Sequence, residues 1–247
     1  MRHPFDASIT VRVSDRELLT IIVPVYNEIR TVRAVIDRLL ALKLPCPAEI
    51  VVVDDGSIDG TRDALAVMES EGVPVRVLYA ERNGGKGNAI RLGLAAARGS
   101  IVAIQDADLE LDPQEIVALV GPILSGDTGV VYGSRFLSGG SSGVPWMTTL
   151  ANGVLTKLTN VLYGAALTDM ETCYKIMRTP IARELKLTAN RFDIEPQITA
   201  RLLRAGHGIH ELPVRFEPRA RAQGKKIGWR DGVRAVQVLV TERFRRP

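Results

Sequence analysis

The sequence predicts an α/β fold with a mostly parallel central sheet covered by helices on both faces. From residue 19 to residue 132, short apolar runs alternate with longer amphipathic segments. Such alternation is typical of βαβ units, in which a helix connects two parallel strands. Acids, glycines and an arginine follow the ends of these runs, as expected for a ligand site at one edge of an open sheet.

The first half of the chain is predicted to contain five strands and four helices. Each strand is an apolar run bounded by turn residues, and each helix has apolar residues at helical spacing. Asn27, Asp59 and Asp112 are the predicted helix N-caps. The strands are predicted at 19–25, 49–53, 75–79, 100–105 and 128–132. The helices are predicted at 28–41, at 60–71, from the glycine-rich loop through residue 98, and at 113–124.

The pattern changes after Gly133. A segment rich in glycine and serine at 138–145 is a candidate lid. Helices are predicted at 146–163, near 194–205 and at 228–244, with a strand at 209–214. The last helix mixes apolar residues with several arginines, which is typical of a helix that docks at an interface.

Length, cysteine count and hydropathy restrict the class of protein. With 247 residues and 46% hydrophobic content, the chain can bury one large core. No apolar run approaches the ~20 residues of a membrane helix, and residues 1–18 lack a signal-peptide core. Cys46 and Cys173 have neither metal nor redox spacing. We therefore expect a reduced, cytoplasmic protein.

The net charge of +4 is unevenly distributed. Residues 201–247 carry a balance of +8, so the first 200 residues carry −4. A basic tail on a mildly acidic body indicates either an anionic partner or a solvated charged face. Nucleic acid is disfavoured as this partner, because aromatic residues make up 5% of the chain and no binding motif is present.

Three acids, Asp106, Asp108 and Glu110, follow the fourth predicted strand. In an extended chain this spacing places all three carboxylates on one side, where they repel one another unless a cation neutralises them. A divalent cation that prefers hard oxygen ligands is the natural partner, and such a cation commonly carries phosphates as well. The alternative is a polar loop whose Asp112 caps the next helix.

Other polar groups follow the first, second and fifth predicted strands. Tyr26 could stack on a flat base, and the acids of the segment 54–61 suit hydrogen bonding to a base or ribose. Arg135 is placed to pair with a phosphate. The loop 82–89 fits neither a P-loop nor a dinucleotide fingerprint, and close packing explains its glycines about as well as ligand binding does.

Taken in order, these segments resemble family 2 glycosyltransferases with the GT-A fold, which has a Rossmann-like nucleotide-binding half. Three later segments narrow the resemblance to the dolichol-phosphate mannose synthase-like group and its bacterial polyprenyl-phosphate relatives. The segments of the first set are VPVYNE (23–28), VDDGS (53–57), NGGKGNA (83–89), DAD (106–108) and GSR (133–135); the second set is TDMETCYK (168–175), FDIE (192–195) and GKKIGW (224–229).

The resemblance implies an inverting transfer of a hexose from a nucleoside diphosphate sugar, of the GDP-mannose or UDP-glucose type, with Mg²⁺ or Mn²⁺. The implied metal ligands are Asp106, Asp108 and Glu110. The single domain, 1–247, would comprise a nucleotide-sugar half (19–135), an acceptor half (136–227) and a basic amphipathic helix (228–247). The residues expected to bind the nucleotide sugar are Pro24, Tyr26, Glu28, Val53, Asp55, Asp106, Ala107, Asp108, Arg135, Arg219 and Lys225.

The nature of the acceptor stays open. A lipid phosphate is already ionised and needs no strong base, and the basic loop 219–226 would position it. A hydroxyl acceptor requires a carboxylate to take its proton, and Asp193 is the candidate base; Arg135 would stabilise the diphosphate that leaves. A sugar nucleotidyltransferase and a non-catalytic docking module are the alternatives of other classes. We expect the protein on the inner face of the membrane, bound directly or through a membrane partner subunit.

Overall fold

The fold is built on one seven-stranded sheet. A computed structural model provides the structure and describes residues 17–137, 146–217 and 229–245. The strands, in chain order, are β1 (Leu19–Val25), β2 (Ala48–Asp54), β3 (Arg76–Tyr79), β4 (Ile101–Ile104), β5 (Val130–Ser134), β6 (Lys175–Arg178) and β7 (His210–Pro213).

The strand order in the sheet is β3-β2-β1-β4-β6-β5-β7. Strand β6 runs antiparallel to both of its neighbours, β4 and β5, whereas every other pair is parallel. The predicted mostly parallel sheet is therefore confirmed. Strand β6 was not predicted, because it opens with a lysine and is short.

Eight helices connect and cover these strands in the described residues. The helix that follows β1 starts four residues later than predicted, and the short helix that follows β6 was not predicted. The helices are α1 (Val32–Leu40), α2 (Thr61–Ser70), α3 (Lys86–Ala96), α4 (Glu115–Leu124), α5 (Trp146–Tyr163), α6 (Thr179–Glu184), α7 (Ile194–Arg204) and α8 (Trp229–Phe244).

Two apolar cores lie on the two faces of the sheet. Side chains alternate along a strand, so Ile21 and Val23 of β1 pack in one core, whereas Ile22 packs in the other. The first core includes residues of α1, α2 and α4, and the second includes residues of α3, α6 and α7. Helices therefore cover both faces, as predicted.

Helices α5, α7 and α8 meet around a third, smaller apolar cluster. It contains Leu155 of α5, Ala200 of α7, and Ala235 and Leu239 of α8. Among the residues that the structure describes, no helix combines the length and the apolar character needed to cross a bilayer. Both cysteines are buried free thiols.

Candidate active site

The candidate site lies where the strand order reverses. Strand β1 pairs with β2 on one side and with β4 on the other. In open α/β sheets, ligands bind in the crevice at such a switch point, beyond the carboxyl ends of the strands. The loops that carry the predicted residues 24–28, 53–55 and 106–110 leave these three strands at that edge.

The loops after β1 and β2 are tied together by hydrogen bonds. The backbone N–H of Asn27 donates to Ser57 Oγ (2.9 Å), and Asn27 Oδ1 accepts from the N–H of Ile58 (2.9 Å). Asn27 has a positive φ of 55°. The prediction that Asn27 caps α1 is therefore wrong, because its side chain bonds to the neighbouring loop instead. The N-cap of α2 is Gly60 and not the predicted Asp59, which lies one residue earlier and whose Oδ1 accepts from the N–H of Thr61 (3.0 Å).

The predicted nucleoside-binding residues of these loops differ in exposure. Val53 is fully buried and Glu28 is nearly so, whereas Pro24 and Tyr26 are half-buried. Glu28 accepts a hydrogen bond from the Thr31 hydroxyl (2.8 Å). Tyr26 and Pro24 therefore present more surface to a ligand than Glu28 and Val53 do.

Asp55 binds the glycine-rich loop. Its buried carboxylate accepts from the N–H groups of Gly84 (3.1 Å) and Gly85 (2.6 Å), and from Asn88 Nδ2 (3.3 Å). The neighbouring Asp54 accepts from Arg62 Nε (2.8 Å). Both acids thus fix the backbone around the crevice. Contact of Asp55 with a nucleoside stays a prediction.

The glycines of this loop are required by close packing. A Cβ at Gly85 would lie 2.4 Å from the carbonyl oxygen of Asn190, and one at Gly87 would lie 2.4 Å from that of Ala189. Gly85 also has a φ of 92°, which side chains disfavour. Close packing against the backbone that precedes α7, one of the two explanations left open by the sequence, therefore accounts for both glycines.

A buried chain of alternating charges runs from the acidic loop into the protein. Lys86 Nζ lies 2.8 Å from Asp106 Oδ1 and 2.9 Å from Glu195 Oε1, and Lys175 Nζ lies 2.5 Å from Glu195 Oε2. Lys175 also lies over the ring of Tyr132, 4.9 Å from its centroid. The formal charges of the two lysines and the two carboxylates balance. Sequence reasoning did not assign a role to Lys86, Glu195 or Lys175.

Lys86 keeps Asp106 ionised. Burial by itself would raise the pKa of Asp106, but the charge of Lys86 and its hydrogen bond outweigh burial and lower that pKa. Burial by itself would lower the pKa of Lys86, and the charges of Asp106 and Glu195 instead raise it well above its ordinary value. Asp106 is therefore an anion that already has a protein cation beside it.

The acidic loop is a turn. Leu109 has a positive φ of 61°, and the N–H of Glu110 donates to Asp108 Oδ1 (3.1 Å). The expectation of an extended chain with three carboxylates on one side is therefore wrong. Ala107 is buried, whereas Asp106, Asp108 and Glu110 are partly exposed.

No three His, Cys, Asp or Glu side chains among the described residues are gathered as a group that could hold a metal ion. The assignment of Asp106, Asp108 and Glu110 as ligands stays a prediction. The N-cap of α4 is Gln114 and not the predicted Asp112, which lies two residues earlier and whose Oδ1 accepts from the N–H of Gln114 (3.1 Å).

Arg135 is fixed at the end of β5. Its Nε and Nη2 donate to the two carboxylate oxygens of Asp169 (2.7 and 2.8 Å), and its guanidinium lies over the rings of Phe136 and Phe216. Glu211 supports this pair by accepting from the N–H of Asp169 (3.0 Å). Burial by itself would lower the pKa of Arg135, but its hydrogen bonds to Asp169 and the charge of Asp169 raise it. The arginine is thus a permanent, oriented cation.

Glu171 is a titratable group that sequence reasoning missed. Burial raises its pKa to about 7, although Lys175 and Arg135 act in the opposite direction. Its Oε1 is buried without a hydrogen-bond partner in the described residues. Cys173 lies in the same region, where burial and the charge of Asp106 raise the pKa of its thiol.

Asp193 lies at the start of α7. Its Oδ1 accepts from the N–H of Arg191 (2.9 Å), and its side chain lines a cavity of about 350 Å³ between α7 and α8 together with Gln197 and Arg234. A role as catalytic base is a prediction. The predicted phosphate contacts Arg219 and Lys225, like the candidate lid 138–145, lie outside the described residues.

Comparison with known proteins identifies the family. The sequence profile of "Glycosyl transferase family 2" matches residues 20–186, which include the carboxyl ends of β1, β2, β4 and β5. This chain belongs to glycosyl transferase family 2. The match spans all the loops of the candidate site except those after α6.

Relatives of this family 2 domain are named as polyprenyl-phosphate glycosyltransferases. The chain is 30% identical to an undecaprenyl-phosphate mannosyltransferase of Micrococcus luteus over 88% of this chain and 90% of the relative. It is 29% identical to a dodecaprenyl-phosphate galacturonate synthase of Rhizobium johnstonii over 68% of this chain. The chain spans half the length of the Rhizobium relative.

Solved structures confirm the GT-A fold of this family 2 domain. Glucosyl-3-phosphoglycerate synthase from Mycobacterium tuberculosis, in complex with Mn²⁺, uridine diphosphate and glucosyl-3-phosphoglycerate, superposes with a TM-score of 0.67. The match covers 92% of this chain and 80% of the other at 22% identity. At that identity the likeness establishes the fold alone.

Proposed function

We propose that this protein is an inverting glycosyltransferase that moves a hexose from a nucleoside diphosphate sugar, of the GDP-mannose or UDP-glucose type, to a polyprenyl phosphate. The observation that carries this proposal is the similarity to the Micrococcus mannosyltransferase along nearly the whole chain. The geometry supports it, because the loops with Asp55 and Asp106 follow β2 and β4, the two neighbours of β1 at the switch point, where nucleotides bind in open α/β sheets.

The acidic loop suits a divalent cation by its donor chemistry. Mg²⁺ is usually held by one or two carboxylates together with water and substrate phosphates, so a preformed cluster of three acids is not required. We assign Asp106 and Asp108 as ligands and Glu110 as a third. When bound, Mg²⁺ or Mn²⁺ would neutralise charge on the diphosphate of the donor.

Arg135 supports the departure of the nucleoside diphosphate. Asp169 accepts hydrogen bonds from two side-chain nitrogens of Arg135, Nε and Nη2. The remaining N–H groups of the guanidinium are left for phosphate oxygens. Its rigid placement means that no reorganisation is needed as negative charge grows on the leaving group, a contribution that is typically worth about 3–4 kcal/mol per donor. Arg219 and Lys225 are assigned to further phosphate contacts of donor or acceptor.

The acceptor oxygen attacks the anomeric carbon as the bond to the diphosphate breaks. A phosphate monoester is ionised near neutral pH, so a polyprenyl phosphate needs no catalytic base. If the acceptor were a hydroxyl, Asp193 would take its proton. Asp193→Asn separates these cases: near-normal transfer to the polyprenyl phosphate supports the proposal, and loss of transfer with an unchanged affinity for donor supports the hydroxyl alternative.

The donor is tested by thermal denaturation with a panel of UDP-, GDP-, CDP- and dTDP-sugars and the corresponding nucleoside triphosphates in the presence of Mn²⁺. A ligand that binds the native state raises the melting temperature. At a ligand concentration of a hundred times the dissociation constant, the free energy of unfolding rises by about 2.7 kcal/mol. We expect one nucleoside diphosphate sugar to do so. Stabilisation by nucleoside triphosphates alone would contradict the proposal and favour a nucleotidyltransferase.

A further inference from the structure

Exposed apolar side chains are concentrated on two adjacent helices. Of the fifteen large hydrophobic residues that are exposed in the described part of the chain, eight lie on α5 and α8. The other seven lie singly in seven different helices, strands and loops. We call the eight the α5–α8 surface: Met147, Leu150, Val154, Val161, Val233, Val236, Val240 and Phe244.

On each helix these residues form one stripe. Successive members are separated by three, four or seven positions, which places them on one side of a helix. The stripe is well exposed: Val161 is 76% accessible and Phe244 is 74% accessible. Because the inward sides of both helices already pack in the third apolar cluster, the stripes are additional apolar surface and not part of a core.

The two stripes border the same seam between the helices. Tyr163 Oη donates to the carbonyl of Leu239 (2.6 Å), and Arg243 Nε donates to the carbonyl of Leu162 (2.7 Å). Val240 lies three residues from Arg243 and is therefore its neighbour on α8. On α5, Leu158 packs on the shared cluster, and Val154 and Val161 lie four and three residues from it. Both stripes therefore lie beside the seam that joins α5 and α8.

The charges around this surface are positive. Lys157 of α5, Arg234 and Arg243 of α8, and Arg245 just after α8 are exposed. Helix α5 contains no acid. Of the two acids of α8, Asp231 is half-buried, and Glu242 is buried and paired with Arg201 (2.5 Å). Apolar stripes flanked by cations match an anionic lipid surface, whereas a second copy would bring like charges together.

We infer that the α5–α8 surface docks this protein on an anionic phospholipid bilayer, and that α5 contributes as much of the contact as the basic C-terminal helix α8. The purpose of this docking, access to a lipid phosphate acceptor, rests on the proposed function. On the inward side of α5, Asn152 Oδ1 accepts from the N–H of Glu171 (3.3 Å), and Thr156 Oγ1 accepts from that of Met170 (3.1 Å). Met170 and Glu171 directly follow Asp169, which holds Arg135 in place. One helix therefore connects the bilayer contact to the site that receives a lipid phosphate.

Co-sedimentation with vesicles tests the inference. The full chain, without donor or metal, is mixed at low salt with vesicles of phosphatidylcholine alone or with phosphatidylglycerol. Wild type is expected to bind the anionic vesicles and to be released by high salt. The double variant V154E/V161E is expected to bind about tenfold more weakly, because it places two carboxylates in the apolar part of the contact. Val67→Glu, a valine of α2 that is 52% exposed, is the matched control and should bind as wild type does.

Three outcomes would overturn the inference. They are absence of wild-type binding to anionic vesicles at low salt, equal binding by V154E/V161E and wild type, and a wild-type dimer that V154E/V161E dissociates. The dimer, detected by sedimentation equilibrium, would make a second copy the occupant. Since vesicle binding is measured without substrates, failure of the proposed sugar transfer leaves this result intact, and the two failures are distinguishable.

Discussion

At the scale of single residues, Lys86 changes the interpretation of the acidic loop. Sequence reasoning assigned the neutralisation of Asp106 to a metal ion, whereas the structure gives this acid a protein cation at 2.8 Å. The same lysine contacts Glu195, 109 positions later in the chain. Spacing predicts contacts within a helix or strand, so a network that joins residues 86, 106, 175 and 195 could not be found from local patterns. The signal available in the sequence was the position of Lys86 in the motif GGK at the start of α3.

Asp108 is the acid of this loop with the clearest expected role in metal binding. We expect Asp108→Asn to lower metal-dependent transfer by at least ~10²-fold, the scale of losing a main charge-stabilising group. Asp112→Asn is the matched control in the same loop, because the amide oxygen of asparagine can accept the same hydrogen bond from the N–H of Gln114. Turnover is measured with Mn²⁺ and after addition of EDTA. Undiminished wild-type turnover in EDTA would contradict the assignment.

Glu171 should make stability depend on pH. Its pKa of about 7 in the folded protein lies above the ordinary value of 4.5, so the native state binds more protons than the unfolded state between these values. The stabilisation is complete below pH 4.5 and is lost as the pH rises through 7. We therefore expect Glu171→Gln to gain about 1–3 kcal/mol relative to wild type between pH 5 and pH 8.

Urea unfolding of both proteins at the two pH values measures this change. Glu81→Gln, at an exposed glutamate of the loop after β3, controls for the removal of a surface carboxylate. A difference between Glu171→Gln and wild type that is the same at pH 5 and pH 8 would show that Glu171 titrates normally.

At the scale of elements, strands and helices with a regular pattern were predictable and irregular ones were not. Strand β1 has the predicted bounds, Leu19–Val25, and α5 has the predicted bounds, Trp146–Tyr163. Strand β6 was missed because Lys175, which opens it, is polar and yet fully buried. Its burial depends on Glu195 of α7, a partner that no window of sequence around β6 contains.

Two helical glycines give a matched test of the packing around the site. Gly87 of α3 has the Ala189 carbonyl where a Cβ would lie, whereas Gly153 of α5 faces open space. We expect Gly87→Ala to destabilise the protein by about 1–3 kcal/mol through overpacking. Gly153→Ala should stabilise it by about 0.5–1 kcal/mol, because alanine is the better helix former. Denaturant unfolding measures both, and equal effects of the two substitutions would contradict the packing of the glycine loop on the segment before α7.

At the scale of the whole molecule, the alternation of strands and helices predicted the parallel sheet but not its strand order. The chain places β6 between β4 and β5, antiparallel to both. That position requires β6 to pair with strands about 45–75 residues earlier in the chain. Closing loops of this length costs entropy, which tertiary packing must offset. The consequence is functional: β4 and β5 run parallel with β6 between them, so Asp106 and Arg135 follow strands that end at the same edge of the sheet.

The most direct test of the proposed function is the product of the wild-type reaction. The protein is incubated with Mn²⁺, a polyprenyl phosphate, and UDP-glucose or GDP-mannose labelled in the sugar. Lipid product, its anomeric configuration and the released nucleotide are then measured. We predict a lipid-linked hexose with inverted configuration and one nucleoside diphosphate released for each sugar transferred. Release of pyrophosphate, or transfer to hydroxyl acceptors while the polyprenyl phosphate stays unmodified, would contradict this account.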